Sequence, residues 1–142
     1  MKKILGLVCL IYSATCFSNE TLPSSSALVG DWAGQRCQSY NDSTTMGTYH
    51  FNFEANGQMF TYLQYYDAFD TWCTGLKGMT SKAVMGSYEI LSSTENNGKM
   101  IYELSLHYSH MPEQPMITRA LVSGNTLQLC SSSGKCSNYL KI

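Results

Sequence analysis

Residues 48–58, Thr-Tyr-His-Phe-Asn-Phe-Glu-Ala-Asn-Gly-Gln, decide the fold. Aromatic and polar side chains alternate from Thr48 to Glu54, so on an extended chain Tyr49, Phe51 and Phe53 share one face, and that face is predicted to be buried. His50 falls on the opposite, polar face and is expected in solvent. Asn56-Gly57 marks a tight hairpin turn, because both residue types tolerate the backbone conformation that such turns need. The returning strand then runs from Gln58 to Tyr66.

The same grammar repeats outward from this hairpin. Residues 32–40 form an earlier strand; residues 82–91 pass through Asn96-Asn97-Gly98 into a strand over 99–108. Pro112 and Pro115 bound a loop over 109–115, and strands follow at 116–122, at 126–130 after the turn Ser123-Gly124-Asn125, and from Cys136 to the end. Residues 67–81 break the alternation and are read as a loop around Cys73. With no convincing helical stripe, the chain is predicted to be all-β: a single antiparallel up-and-down β-barrel or sandwich of about eight strands.

The first eighteen residues have the grammar of a cleaved signal peptide: Lys2 and Lys3, an apolar run from Ile4 to Tyr12, then small residues before Asn19. The run is too short for a membrane span, which needs about 18 apolar residues. Cys16 after Ser13-Ala14-Thr15 offers a lipoprotein rival, but Ser13 stands where a lipobox has Leu. Cleavage leaves 124 of the 142 residues, enough for one core: a flexible lead at 19–28, marked by Pro23 and Ser24-Ser25-Ser26, and a single domain at 29–142. Loss of Lys2 and Lys3 takes the formal charge from −1 to −3 and gives no footprint for nucleic acid or an anionic membrane. Export predicts a periplasmic protein, with secretion as the alternative.

Four of the six cysteines survive cleavage, and in an oxidising compartment they are expected as disulfides. Four cysteines allow three pairings. Cys130 and Cys136 flank Ser131-Ser132-Ser133-Gly134-Lys135 between two predicted strands, which favours a hairpin loop closed by its own disulfide and leaves Cys37 for Cys73. A four-cysteine zinc site wants tight C-x-x-C pairs that this chain lacks.

Gly30-Asp31-Trp32, just ahead of the first strand, resembles the calycin superfamily, which includes the lipocalins and avidins. The resemblance implies a small barrel with Trp32 plugging one end, Gly30 turning the chain inward, and Arg119 packed over the tryptophan. The chain is shorter than a typical lipocalin and its cysteines are placed differently, so the resemblance speaks to architecture. The loop from Ser131 to Lys135 resembles the Ser-Gly loops with which bacterial lysozyme inhibitors enter an active-site cleft, and implies that Lys135 meets catalytic carboxylates; Cys136 departs from that pattern.

Catalytic groups are sparse. His50, His107 and His110 sit in no nucleophile or zinc motif, no Gly-x-Ser-x-Gly occurs, and His107, His110 and Glu113 have no metal-site spacing. Asp67 and Asp70 are paired carboxylates whose plainer role is capping turns beside Cys73. What stands out is aromatic surface: Tyr62, Tyr65, Tyr66, Phe69 and Trp72 lie close together, and Tyr65 and Tyr66 must point to opposite faces of a strand. The chain is therefore expected to be a binding protein without catalytic residues, metal or cofactor. Its expected partner is a cell-wall hydrolase or a secreted toxin effector, met by Tyr65, Tyr66, Asp67, Asp70, Trp72, Ser132, Ser133 and Lys135. An immunity protein of the type VI secretion kind is the specific version; a lipocalin-like carrier of a small apolar molecule is the alternative, and a homodimer is left open. N-terminal sequencing of the exported product is expected to begin near Asn19, and a product that keeps Met1 contradicts the signal-peptide reading.

Overall fold

The hairpin at 48–58 forms as β3 (Thr45–Phe53) and β4 (Gln58–Tyr66), paired from Phe53 opposite Met59 to Met46 opposite Tyr66. It belongs to a computed structural model that describes residues 25–142 apart from 41–44, 68, 76 and 82. The signal segment and residues 19–24 of the expected lead lie outside the described residues. β1 (Gly30–Gly34) and β2 (Gln38–Tyr40) share one edge of β3, and β5 (Lys77–Thr80) and β6 (Val84–Asn96) share one edge of β4, so each couple is one broken stave. β7 (Lys99–Tyr108), β8 (Met116–Ser123), β9 (Thr126–Ser131) and β10 (Cys136–Lys141) follow in a meander, and β10 returns to pair with β1. The result is a closed antiparallel barrel of eight staves, the architecture that the strand spacing predicts, and closure leaves no long unpaired edge.

The pairing directions sort the connections onto two ends. Residues 54–57, 97–98 and 124–125 turn at one end, where residues 25–29 and the C-terminus also lie. The break between β1 and β2, the β4–β5 connection, the β7–β8 loop and the β9–β10 loop stand at the other.

The first end is sealed. Trp32, Leu28, Met59, Phe53 and Leu127 are all at most 1% exposed, and the Trp32 indole N–H donates to the Leu28 carbonyl at 2.7 Å. Burying the indole is favourable only because that polar handle finds a partner. Gly30 holds φ +137°, a conformation that side chains rarely adopt, and it lets the chain swing Trp32 inward. Residues 25–28, placed in the lead by sequence, instead make a turn that carries Leu28 into the core; the Ser25 carbonyl accepts from the Leu28 amide at 2.9 Å.

Several expectations are corrected. The ammonium of Lys141, not Arg119, lies over the Trp32 ring, 5.2 Å from its centre, because Lys141 stands directly opposite Trp32 across β1 and β10. Arg119 is exposed on β8, between Glu103 and Cys130. Lys77–Thr80 is a strand rather than loop, since its backbone completes the ladder beside β4. Tyr49, in the middle of β3 on the inward face with Phe51 and Phe53, is 45% exposed where it borders Gly34 and the break between β1 and β2. His50, expected in solvent, is 3% exposed, stacked on Tyr62 at 4.7 Å with the Thr48 hydroxyl 3.0 Å from its Nε2.

Both expected disulfides, Cys37–Cys73 and Cys130–Cys136, are at bonding distance, with Cα atoms 5.6 and 4.0 Å apart. They are the chemistry of an oxidising compartment outside the cytoplasm. In the chain-entropy model their loops are worth roughly 4 and 2 kcal/mol.

Trp32→Ala removes the largest plug of the sealed end and is expected to destabilise the domain by about 3–5 kcal/mol in urea denaturation. A loss below about 1 kcal/mol would show that the plug is dispensable.

Candidate functional site

The connection from β4 to β5 is held open by its own backbone chemistry. The Asp67 carboxylate accepts from the Phe69 amide at 3.3 Å, and the Asp67 and Asp70 carbonyls accept from Asp70 and Cys73 at 2.9 and 3.1 Å. The Asp70 carboxylate accepts from the amides of Gly75 at 2.6 Å and Thr74 at 3.1 Å. Those backbone donors, Gly75 first, hold the Asp70 carboxyl below its ordinary value of 3.8. Cys73 sits at φ +52°, unusual for a residue with a side chain, and is pinned there by Cys37 and by the cap of Asp70. Both aspartates thus cap turns beside Cys73. The connection presents Phe69 at 94% and Trp72 at 82% exposure, whereas Tyr65 and Tyr66 are half-buried. Phe69, left out of the predicted contact set, is the more exposed ring.

The second arm is the loop between β9 and β10. Cys130 and Cys136 stand opposite each other at the last pair of the ladder, so their disulfide clamps the base. Inside the clamp the Ser131 amide donates to the Lys135 carbonyl and the Gly134 amide to the Ser131 carbonyl, both at 2.9 Å, while the Ser131 and Ser133 hydroxyls meet at 2.8 Å. Gly134 supplies the left-handed residue, φ +80°, that so tight a loop requires. Ser132, Ser133 and Lys135 are exposed.

The fold places both arms on the open end. Counted around the barrel, β3 and β1 separate β4 from β10, but the Cys37–Cys73 disulfide ties the first arm to the break between β1 and β2, on the stave next to β10. Arg36 and Cys37 therefore stand between the two arms. Sequence did not single out the rest of this end: Met85, Met111, Met116 and Ile117 are 42–56% exposed around the β6 start and the β7–β8 loop. Exposed methionine and aromatic groups at one end are the composition of a docking surface. Inside the rim, burial pushes the phenols of Tyr108 and Tyr139 above 10.0, with Tyr49 close enough to add to both shifts.

Two hydroxyl–imidazole pairs were not legible in the sequence: Ser105 with His107 and Thr48 with His50, each 3.0 Å apart. Both join residues two apart on one strand face, where neighbours meet by geometry alone. Ser105 is 5% exposed, Ser87 stands opposite His107, and Glu89 stands opposite Ser105. His110 lies against Tyr108 with ring centres 5.7 Å apart. Among the described residues no group of three His, Cys, Asp or Glu side chains converges as metal ligands would, and no helix is long and apolar enough to cross a membrane.

No family model, curated protein or solved structure matches the chain.

The depressed Asp70 pKa stabilises the first arm above the ordinary carboxylate value, 3.8, and that stabilisation is lost as pH falls through the lower folded value. Asp70→Asn is expected to speed hydrogen exchange of the Thr74 and Gly75 amides by roughly tenfold at neutral pH while amides in β7 stay unchanged. Equal exchange in variant and parent would remove the carboxylate from the account.

Proposed function

We propose that this chain is an exported binding protein that acts in the periplasm as an immunity or inhibitor protein, blocking a peptidoglycan hydrolase effector by occupying its active-site cleft. The observation that carries the reading is the pairing of two disulfide-clamped arms on the open end of a barrel sealed at the other. An inhibitor needs a rigid projection more than it needs reactive groups, because affinity rises when ordering is completed before binding. Phe69 and Trp72 are the rigid anchors, Lys135 is the cation suited to a glycosidase's catalytic carboxylates, and Tyr65, Tyr66, Asp67, Asp70, Ser132 and Ser133 build or flank the arms. The carrier alternative wants several hundred Å³ of apolar interior, whereas interior positions here hold Trp32, Phe53, Met59, Tyr102 and Leu104, all at most 1% exposed.

The test is inhibition of a panel of purified hydrolases, comprising chicken-type and goose-type lysozymes, a lytic transglycosylase and an N-acetylmuramoyl-alanine amidase, read by cell-wall clearing and calorimetry. Trp72→Ala or Phe69→Ala is expected to weaken binding to the inhibited enzyme by about thirtyfold, and Lys135→Glu by about tenfold, with thermal midpoints held within a few degrees. No inhibition across the panel, together with a small apolar molecule found in the purified protein by mass spectrometry, would replace the inhibitor with the carrier.

A further inference from the structure

Between the two arms lies a recess of about 160 Å³, bounded by the β1–β2 break, β3 and the start of β10. Its floor is Gly34, where a Cβ would stand 2.6 Å from the Tyr49 carbonyl and 3.5 Å from the Tyr139 ring, so the absence of a side chain keeps the recess open. Its walls carry Arg36, Gln38, Tyr49, Ser137 and Tyr139, which are one guanidinium, one amide and three hydroxyls with no carboxylate among them, while Asn138 borders it with its side chain on the other face of β10. Arg36 is exposed, and among the described residues no carboxylate pairs with it.

The scaffold behind these groups is fixed. The Gln35 amide donates to the Asn138 carbonyl at 3.0 Å, which sets Arg36 beside Ser137. The Asn138 side chain lies on the opposite face of β10 from Ser137 and Tyr139, where its oxygen accepts from Gln128 at 3.0 Å and fixes the strand. Tyr139 is held edge-on against Phe51, with ring centres 5.3 Å apart. Arg36 immediately precedes Cys37 and Ser137 immediately follows Cys136, so each disulfide anchors one wall.

Size and charge together choose the occupant. Small-molecule sites run to roughly 300–1,000 Å³, larger than this recess, which matches a single side chain. A guanidinium that no described carboxylate pairs, set beside hydroxyl groups, is complementary to a carboxylate, which takes two parallel hydrogen bonds from arginine. We propose that the recess receives one aspartate or glutamate side chain of the bound protein, with Arg36 as its counter-charge and the Ser137 hydroxyl beside it. This rests on the reading of the open end as a protein-binding surface. It adds a specificity element at the middle of that surface, where binding energy concentrates.

The first test uses a probe that does not depend on the natural partner: acetyl-Gly-Glu-Gly-amide titrated into ¹⁵N-labelled mature protein, against its Gln counterpart. The Glu peptide is expected to shift the Gly34 and Asn138 amides and the Arg36 side-chain N–H with millimolar affinity, and both the Gln peptide and Arg36→Gln to lose roughly tenfold or more. Equal shifts with both peptides, or shifts confined to other residues, overturn the proposal. The second test measures Arg36→Gln against whichever hydrolase of the panel is inhibited, where a loss of roughly tenfold to hundredfold is expected. If Trp72→Ala weakens that complex while Arg36→Gln stays within about twofold, the recess proposal falls and the inhibitor reading stands. If no hydrolase binds but the Glu peptide is discriminated, the recess stands and the partner class falls. Arg36 is exposed and its replacement leaves the core intact, so an unchanged thermal midpoint is the control.

Discussion

The hydrogen bond from the Trp32 indole to the Leu28 carbonyl, 2.7 Å long and fully buried, is the contact on which the asymmetry of this molecule depends. A meander barrel has two equivalent openings until one is filled. Here the chain fills one at its start: Gly30 turns the backbone, Trp32 enters, Leu28 closes behind it, and Lys141 lies over the indole from the last strand. The first and last staves meet at that point, so sealing the end also closes the barrel.

With one end committed to the core, large apolar side chains are left exposed at the other. That end is reinforced where a barrel is weakest, in its loops, by two disulfides of different reach. The short one stiffens a hairpin tip. The long one joins a loop to a neighbouring stave across β3, so that Phe69 and Trp72 stand in water without the collapse that apolar rings on a free loop would undergo. Holding large apolar groups exposed is unfavourable in the free protein and is offset when a partner covers them.

Much of this was legible in the sequence because two local signals agree with the global fold. Alternation over Thr48–Glu54 and the turns at Asn56-Gly57, Asn97-Gly98 and Gly124-Asn125 read directly as staves and hairpins, and cysteine spacing alone favoured the correct disulfides. What was illegible is what long-range packing decides. Lys77–Thr80 lacks alternation and is a strand only because β4 offers it a ladder; Leu28 follows a serine run and is buried only because the sealed end needs filling. His50 obeys the outward face that its position predicts, yet that face of β3 is itself buried, which periodicity does not report. The candidate site divides the same way. Trp72 stands out as a candidate from aromatic clustering, whereas Arg36, a lone charge next to a cysteine, becomes one only when Ser137 and Gly34 are brought beside it.

Binding at the open end, as proposed, leaves the interior untouched. Hydrogen exchange of the mature domain, alone and saturated with an inhibited hydrolase, tests this directly. Protection is expected at residues 36–38, 69–75 and 131–137, with no change at the turns 54–57, 97–98 and 124–125. Protection centred on those turns, or spread through β7 and β8, would place the partner at the sealed end or a ligand in the core, and would contradict binding at the open end.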